Sequence, residues 1–185
     1  MRKIIAAFNM TIDGNCDHTI PNPDADIHDH YSHLIENAEA LLYGRITFEL
    51  MKYWQTLLTN PSDNKSHNDF AIAIDKTPKI VFSRTMKSTG WDSAQLSDKS
   101  LPDMIKELKN GEGKDILICS RSLIIQLLNQ NLIDEFQLCI HPIIAGPGLI
   151  LFDKIEKRID LTLSHTKTFK SGAVIHYYTP IRNHN

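Results

Sequence analysis

Two stretches of the chain place an arginine beside a hydroxyl at the end of an apolar run. Gly44-Arg45-Ile46-Thr47 follows Ala40-Leu41-Leu42-Tyr43, and Ser83-Arg84-Thr85 follows Lys79-Ile80-Val81-Phe82. A planar guanidinium can pair two phosphate oxygens at once, and a neighbouring hydroxyl adds a further donor. Gly44 ends the first run. A helix starting just after it opens on unpaired N–H groups with a partial positive charge, which suits phosphate. Thr47 can cap that helix or donate to the same anion. If the two runs are adjacent strands, their ends form one extended polyphosphate site. An ordinary strand-loop-helix with surface arginines reads the same over so few residues, because a Gly-Arg pair is unspecific.

The elements that must position these residues alternate between strand and helix patterns. Arg2–Asn9 is apolar after two basic residues and reads as a strand covered on both faces. Asp13-Gly14 is a turn signal, and Asn15–Pro23 a polar loop able to cover a pocket. A helix starts near Asp24 or Asp26, either of which can cap it, with Ile27, Tyr31, Leu34, Ile35 and Ala38 at helical spacing. It feeds the Leu41 strand, after which a short amphipathic helix runs to Trp54. Asn60–Asn68 reads as a polar loop, and Phe70–Ile74 as a short helix ending before Thr77-Pro78. Further strands are expected at Lys79–Phe82, Trp91–Leu96, Asp115–Cys119 and Phe136–Ile144. Helices are expected around Leu101–Leu108 and, capped by Ser120 or Ser122, around Leu123–Leu128. Leu161–Phe169, the turn Lys170-Ser171-Gly172 and Ala173–Tyr178 complete an antiparallel hairpin. The order predicts an α/β fold with a mixed sheet and helices on both faces.

The 185 residues, 42% of them hydrophobic, suit one domain spanning 1–185. A formal charge of −2 gives no general attraction for nucleic acid or anionic membrane, so a small-molecule partner and a local anion patch are expected. No apolar stretch approaches a membrane span, and no secretory h-region precedes Ile4, which together fit a cytoplasmic protein. Cys16, Cys119 and Cys139 lack C-x-x-C spacing and read as reduced thiols. His28, His30 and His33 do not converge on one ion at helical spacing and have no companion ligand set, so no metal is expected. His141 reads as a strand residue with a satisfied ring.

In their order, several motifs resemble the dihydrofolate reductase-like superfamily, in particular the RibD C-terminal reductase domain of bacterial riboflavin-biosynthesis deaminase-reductases. They are Thr11-Ile12-Asp13-Gly14, Leu42–Glu49, Lys79–Thr85, Leu132-Ile133-Asp134-Glu135, and His141-Pro142-Ile143-Ile144-Ala145-Gly146-Pro147-Gly148 followed by Leu151-Phe152. The resemblance covers nearly the whole chain. It implies a three-layer α/β/α fold, a homodimer formed through the late apolar strands, and an oxidoreductase that binds NADPH. The hydride acceptor would be a small planar heterocycle of pterin, folate or pyrimidine type. It further implies that Gly44, Arg45 and Thr47 lie against the cofactor phosphates. Ser83, Arg84 and Thr85 would then lie near the adenosine ribose, where Ser83 and Arg84 favour a 2′-phosphate. The third turn of this cradle is Cys119-Ser120-Arg121-Ser122, where the family usually carries Gly-Gly. Its Cβ atoms crowd a phosphate, whereas Arg121 adds a donor and a positive charge.

Hydride transfer also needs a proton source and an oriented substrate. Asp13, beside the expected nicotinamide end, and Asp26, on the helix flanking the substrate, are the candidates; each also suits a purely structural turn or cap. Tyr31 and Trp54 can wall a planar substrate or serve as core aromatics. A non-catalytic, ligand-binding dimer is the alternative function.

Overall fold

The structure, a computed structural model, describes residues 1–181. Eight strands form one sheet: β1 (Ile4–Thr11), β2 (Ala38–Gly44), β3 (Lys79–Phe82), β4 (Ala94–Leu96), β5 (Asp115–Ile118), β6 (Glu135–His141), β7 (Leu161–Thr168) and β8 (Val174–Pro180). Their order is β4-β3-β2-β5-β1-β6-β8-β7. The first six are mutually parallel; β8 runs antiparallel to β6, and β7 antiparallel to β8.

The helices are α1 (Ala25–Glu36), α2 (Arg45–Met51), α3 (Tyr53–Thr59), α4 (Lys65–Lys76), α5 (Leu101–Asn110) and α6 (Arg121–Asn129). The central strands are apolar without alternation because both of their faces are covered. On one face Ile4, Ala6, Leu42 and Ile118 pack with Met104 and Ile105 of α5 and Leu123, Ile124 and Leu127 of α6. On the other, Ile5, Leu41, Tyr43 and Leu117 pack with Ile35 of α1, Phe48 of α2 and Ile74 of α4. The expected three layers are therefore present, and the terminal hairpin forms with Gly172 in its turn at φ +85°.

Several local expectations are corrected. The helix expected to run to Trp54 breaks at Lys52, and Trp54 is the second residue of α3. Thr47 does not cap α2, whose N-cap position is Gly44 with no side-chain acceptor. The α1 cap is Asp24, which accepts from the Ile27 N–H at 2.9 Å, and Asp26 lies in the first turn without capping it. The segment read as a polar loop to Asn68 turns helical at Lys65, because the Asn64 carboxamide accepts from the Ser66 N–H at 3.0 Å. β6 stops at His141, before Pro142. β7 alternates in sequence, yet all eight of its residues are exposed, since no layer covers this edge.

Candidate functional site

Registry sets the site. Gly44 at the end of β2 pairs with Phe82 at the end of β3, and Leu42 pairs with Ile118 near the end of β5. The turns Ser83–Thr85, Gly44–Thr47 and Cys119–Ser122 therefore stand side by side on the carboxyl edge of the parallel strands. Thr11 and His141, themselves in register, continue that edge along β1 and β6. Open α/β sheets bind ligands at this edge. Ile12 and Ile46 project there, 60% and 67% exposed, as apolar rim beside the polar turns.

The three turns differ in how open they are. Arg45 is exposed and pairs with Glu49 one helical turn on, at 3.0 Å. Ser83 Oγ accepts from the N–H groups of Thr85 and Met86, at 3.2 and 3.0 Å, which fixes the loop and leaves Arg84 exposed. In the third turn the Gly44 N–H donates to the fully buried Ser120 Oγ at 2.8 Å. A Cβ on Gly44 would stand 2.9 Å from Ser122 Oγ, so close approach of the two turns requires glycine. Cys119 faces Tyr43, and burial pushes its thiol up to about 12. Arg121, expected to supply charge to an anion, is spent elsewhere. Its Nε donates to Ile150 O at 2.8 Å and its Nη2 pairs with Asp153, bracing the loop after β6.

The proton candidates are also relocated. Asp13 accepts from the Thr11 hydroxyl, from the Gly146 N–H at 2.7 Å and from the Ala145 N–H at 3.1 Å. The Thr11 hydroxyl first, then the Gly146 amide, hold its carboxyl below the ordinary carboxylate range. These bonds make Asp13 a latch between the loops after β1 and β6. Asp26 is exposed and stands 3.5 Å from Lys170 in the β7–β8 turn. The group missed by sequence reasoning is the pair Asn9–His141, with Nε2 3.0 Å from Oδ1 and Cys139 Sγ 3.7 Å away. Burial lowers the pKa of His141 and keeps the ring neutral. Its position on an apolar strand beside proline had pointed to a satisfied ring.

Tyr31 and Trp54 do not form one wall. Trp54 stacks edge-on with Phe70, His28 and His67 among α1, α3 and α4. Tyr31 packs with Ile27, Cys139 and Ile175 toward β6 and β8, and its buried hydroxyl has no partner among the described residues. Tyr31→Phe is therefore expected to raise stability by about 1–3 kcal/mol, the penalty of an unsatisfied buried donor. A lower urea midpoint in the variant would show that the hydroxyl has a partner. The three histidines of α1 diverge as well. His28 meets His67, His30 meets Phe169 and Lys167, and His33 meets Glu36. Among the described residues no group of three or more His, Cys, Asp or Glu could hold a metal, and no helix is long and apolar enough to cross a membrane. A polar cavity of about 200 Å³ lined by Gln55, Asp75, Trp91, Asp92 and Ser93 lies at the amino ends of β3 and β4, away from these turns.

Residues 2–175 match the RibD C-terminal domain family. The uncharacterized protein YyaP of Bacillus subtilis is 33% identical over 181 residues, covering 94% of this chain and 92% of that protein. Among solved structures, a putative riboflavin biosynthesis protein from Shewanella superposes with a TM-score of 0.72 at 22% identity, covering 97% and 99% of the two chains. A pyrimidine reductase-like protein from Corynebacterium diphtheriae gives 0.69 at 17% identity, covering 98% and 93%. At those identities the superpositions speak to the fold, and the family match speaks to the lineage. The chain belongs to the RibD C-terminal domain family, with a dihydrofolate reductase-like α/β fold.

Proposed function

We propose that this protein is an NADPH-dependent reductase of a small planar heterocycle of pterin, folate or pyrimidine type. The observation that carries the reading is the alignment of three polar turns on one carboxyl edge, with arginines at two of them free to reach solvent. Arg45, Thr47 and Ser122 are the groups that would hold the cofactor's diphosphate. Ser83, Arg84 and Thr85 would hold the adenosine ribose and its 2′-phosphate. Fit is incomplete at Cys119-Ser120, where buried side chains replace an open backbone cradle. When bound, NADPH would supply the hydride. The chain's part would be to shelter the planar groups with the apolar rim of Ile12 and Ile46, and to present the neutral Asn9–His141 pair close to the end of β1. Asp13 fixes the Ala145-Gly146 loop alongside.

Arg45→Ala and Arg84→Ala should each weaken NADPH binding by about 1.5–3 kcal/mol, the loss of charge-assisted hydrogen bonds. The check is a titration followed by tryptophan fluorescence, repeated with NADH. If Arg84→Ala costs NADH as much as NADPH, the 2′-phosphate role is refuted. No saturable signal and no thermal shift at high NADPH would sink the reductase reading. It would favour the second one, a non-catalytic ligand binder, which the closed Gly44 amide also supports. The same proposal includes a homodimer, for which the uncovered edge strand β7, with Leu161 and Leu163 38% and 50% exposed, is the surface available. Light scattering giving a monomer would remove it.

A further inference from the structure

The donor that the β2–α2 turn would offer an anion is already taken. The Gly44 N–H donates to Ser120 Oγ at 2.8 Å, both residues are buried, and the Ser122 hydroxyl already intrudes on the space a Gly44 Cβ would need, 2.9 Å from its position. Two turns 76 residues apart in sequence are thereby fastened together, and the crevice between them is closed. Of the two arginines flanking it, Arg121 is committed to Ile150 O and Asp153. Arg45 is held only by exposed Glu49, a pairing of the kind that contributes little and is readily exchanged.

We propose that Ser120 determines how a phosphate-bearing ligand is held at this edge. It takes the Gly44 amide for itself and hands recognition of a dinucleotide's diphosphate to the Arg45 guanidinium and the Ser122 hydroxyl. This inference rests on reading the edge as a dinucleotide site. Anion recognition by a mobile side chain gives up the pre-organisation of a fixed backbone donor and is screened by salt. The serine is thus a brake on affinity that a glycine at the same position would release, because glycine frees both the amide and the space above it.

Two readouts test it. In the ligand-free protein, hydrogen exchange at the Gly44 amide is compared between the natural chain, Ser120→Gly and Ser120→Ala; the alanine variant keeps the backbone restrained should glycine loosen the turn. Exchange about tenfold faster in both variants is expected, the effect of losing one hydrogen bond. NADPH affinity is then measured for the natural chain, Ser120→Gly, Arg45→Ala and the double variant. Ser120→Gly should bind about tenfold more tightly, and the loss caused by Arg45→Ala should shrink when residue 120 is glycine, since the backbone again shares the anion. Unchanged exchange at Gly44 overturns the fastening itself. A released Gly44 amide with unchanged or weaker NADPH binding overturns the role of Ser120 in affinity. Binding of NADPH by none of the four proteins overturns the dinucleotide reading and the proposal with it, whatever Gly44 does.

Discussion

Phe48→Ala is expected to lower the unfolding free energy by about 3–5 kcal/mol, as a fully buried aromatic truncated to a methyl group leaves a cavity its neighbours only partly fill. Phe48 is 0% exposed, although it lies on a helix of only seven residues. Its ring approaches Tyr43 of β2 and Trp91 ahead of β4, with centroids 6.3 and 5.9 Å away, and Lys52 Nζ lies 5.3 Å from its centre. So short a helix has little stability of its own, and its attachment to the sheet comes from this side chain. The effect should therefore reach the site. The turn Gly44–Thr47 precedes Phe48 directly, and its register beside Ser83 and Ser120 depends on α2 staying seated. Urea unfolding should show the midpoint fall with little change in slope, and the Gly44 amide should lose protection before the core strands do. A loss below about 1 kcal/mol would mean the site collapses around the smaller residue, and would refute the anchoring role assigned to Phe48.

The residues that form this edge were legible in sequence to different depths. The arginine-bearing turns could be read because each closes an apolar run, and parallel strands covered on both faces make such runs conspicuous. Their adjacency was only a condition in the sequence, and the pairing of β2 with β3 meets it. The Gly44–Ser120 bond could not be read, since it joins side chain to backbone across 76 residues and depends on β5 entering the sheet beside β2. Arg121 misled for a related reason. A cation at a helix start suits phosphate, yet the loop after β6 folds back to claim it through Ile150 and Asp153. Asp13 had a legible structural alternative, the Asp-Gly turn, but its partners at Ala145 and Gly146 lie more than a hundred residues on. The break at Lys52 has no glycine or proline to announce it, although Phe48 before it and Trp54 after it pack into the same apolar layer. The α4 start at Lys65 did carry a signal, Asn64 ahead of Lys65-Ser66, hidden within a polar run that composition assigned to a loop.

Acidification through the histidine range should destabilise the protein before its carboxylates begin to protonate, and the cause lies in α1. His28 is packed against His67, Trp54 and Phe70, and burial first, then the neighbouring His67, lower its pKa to about 4; Asp29 and Asp24 oppose the shift only in part. His30 lies on Tyr31 and Phe169, with Lys167 Nζ 3.1 Å from its Nδ1, and burial first, then the charge of Lys167 and the neighbouring His33, lower it to about 4 as well. Both rings are therefore neutral in the folded chain where the unfolded chain, titrating near the ordinary value of 6.5, takes up a proton. Protons bound preferentially by the unfolded state make stability fall as pH falls. Stability is fully present above about pH 6.5, declines toward about pH 4, and gains no further loss from these two groups below that. Both rings keep partial contact with solvent, so screening reduces the full linkage to about 1–2 kcal/mol for each. Urea midpoints at about pH 7 and about pH 4.5 should differ in the natural chain, and the difference should shrink in His28→Gln and shrink again when His30→Gln is added, leaving the share of His141, whose pKa burial also lowers. Glutamine keeps polarity while removing the proton site, which separates titration from packing. An undiminished acid loss in the double variant would assign it to His141 and the carboxylates and refute the role of α1. Because α1 packs on both α4 and the β7–β8 hairpin through these rings, the acid-induced loosening should appear first in hydrogen exchange of α1.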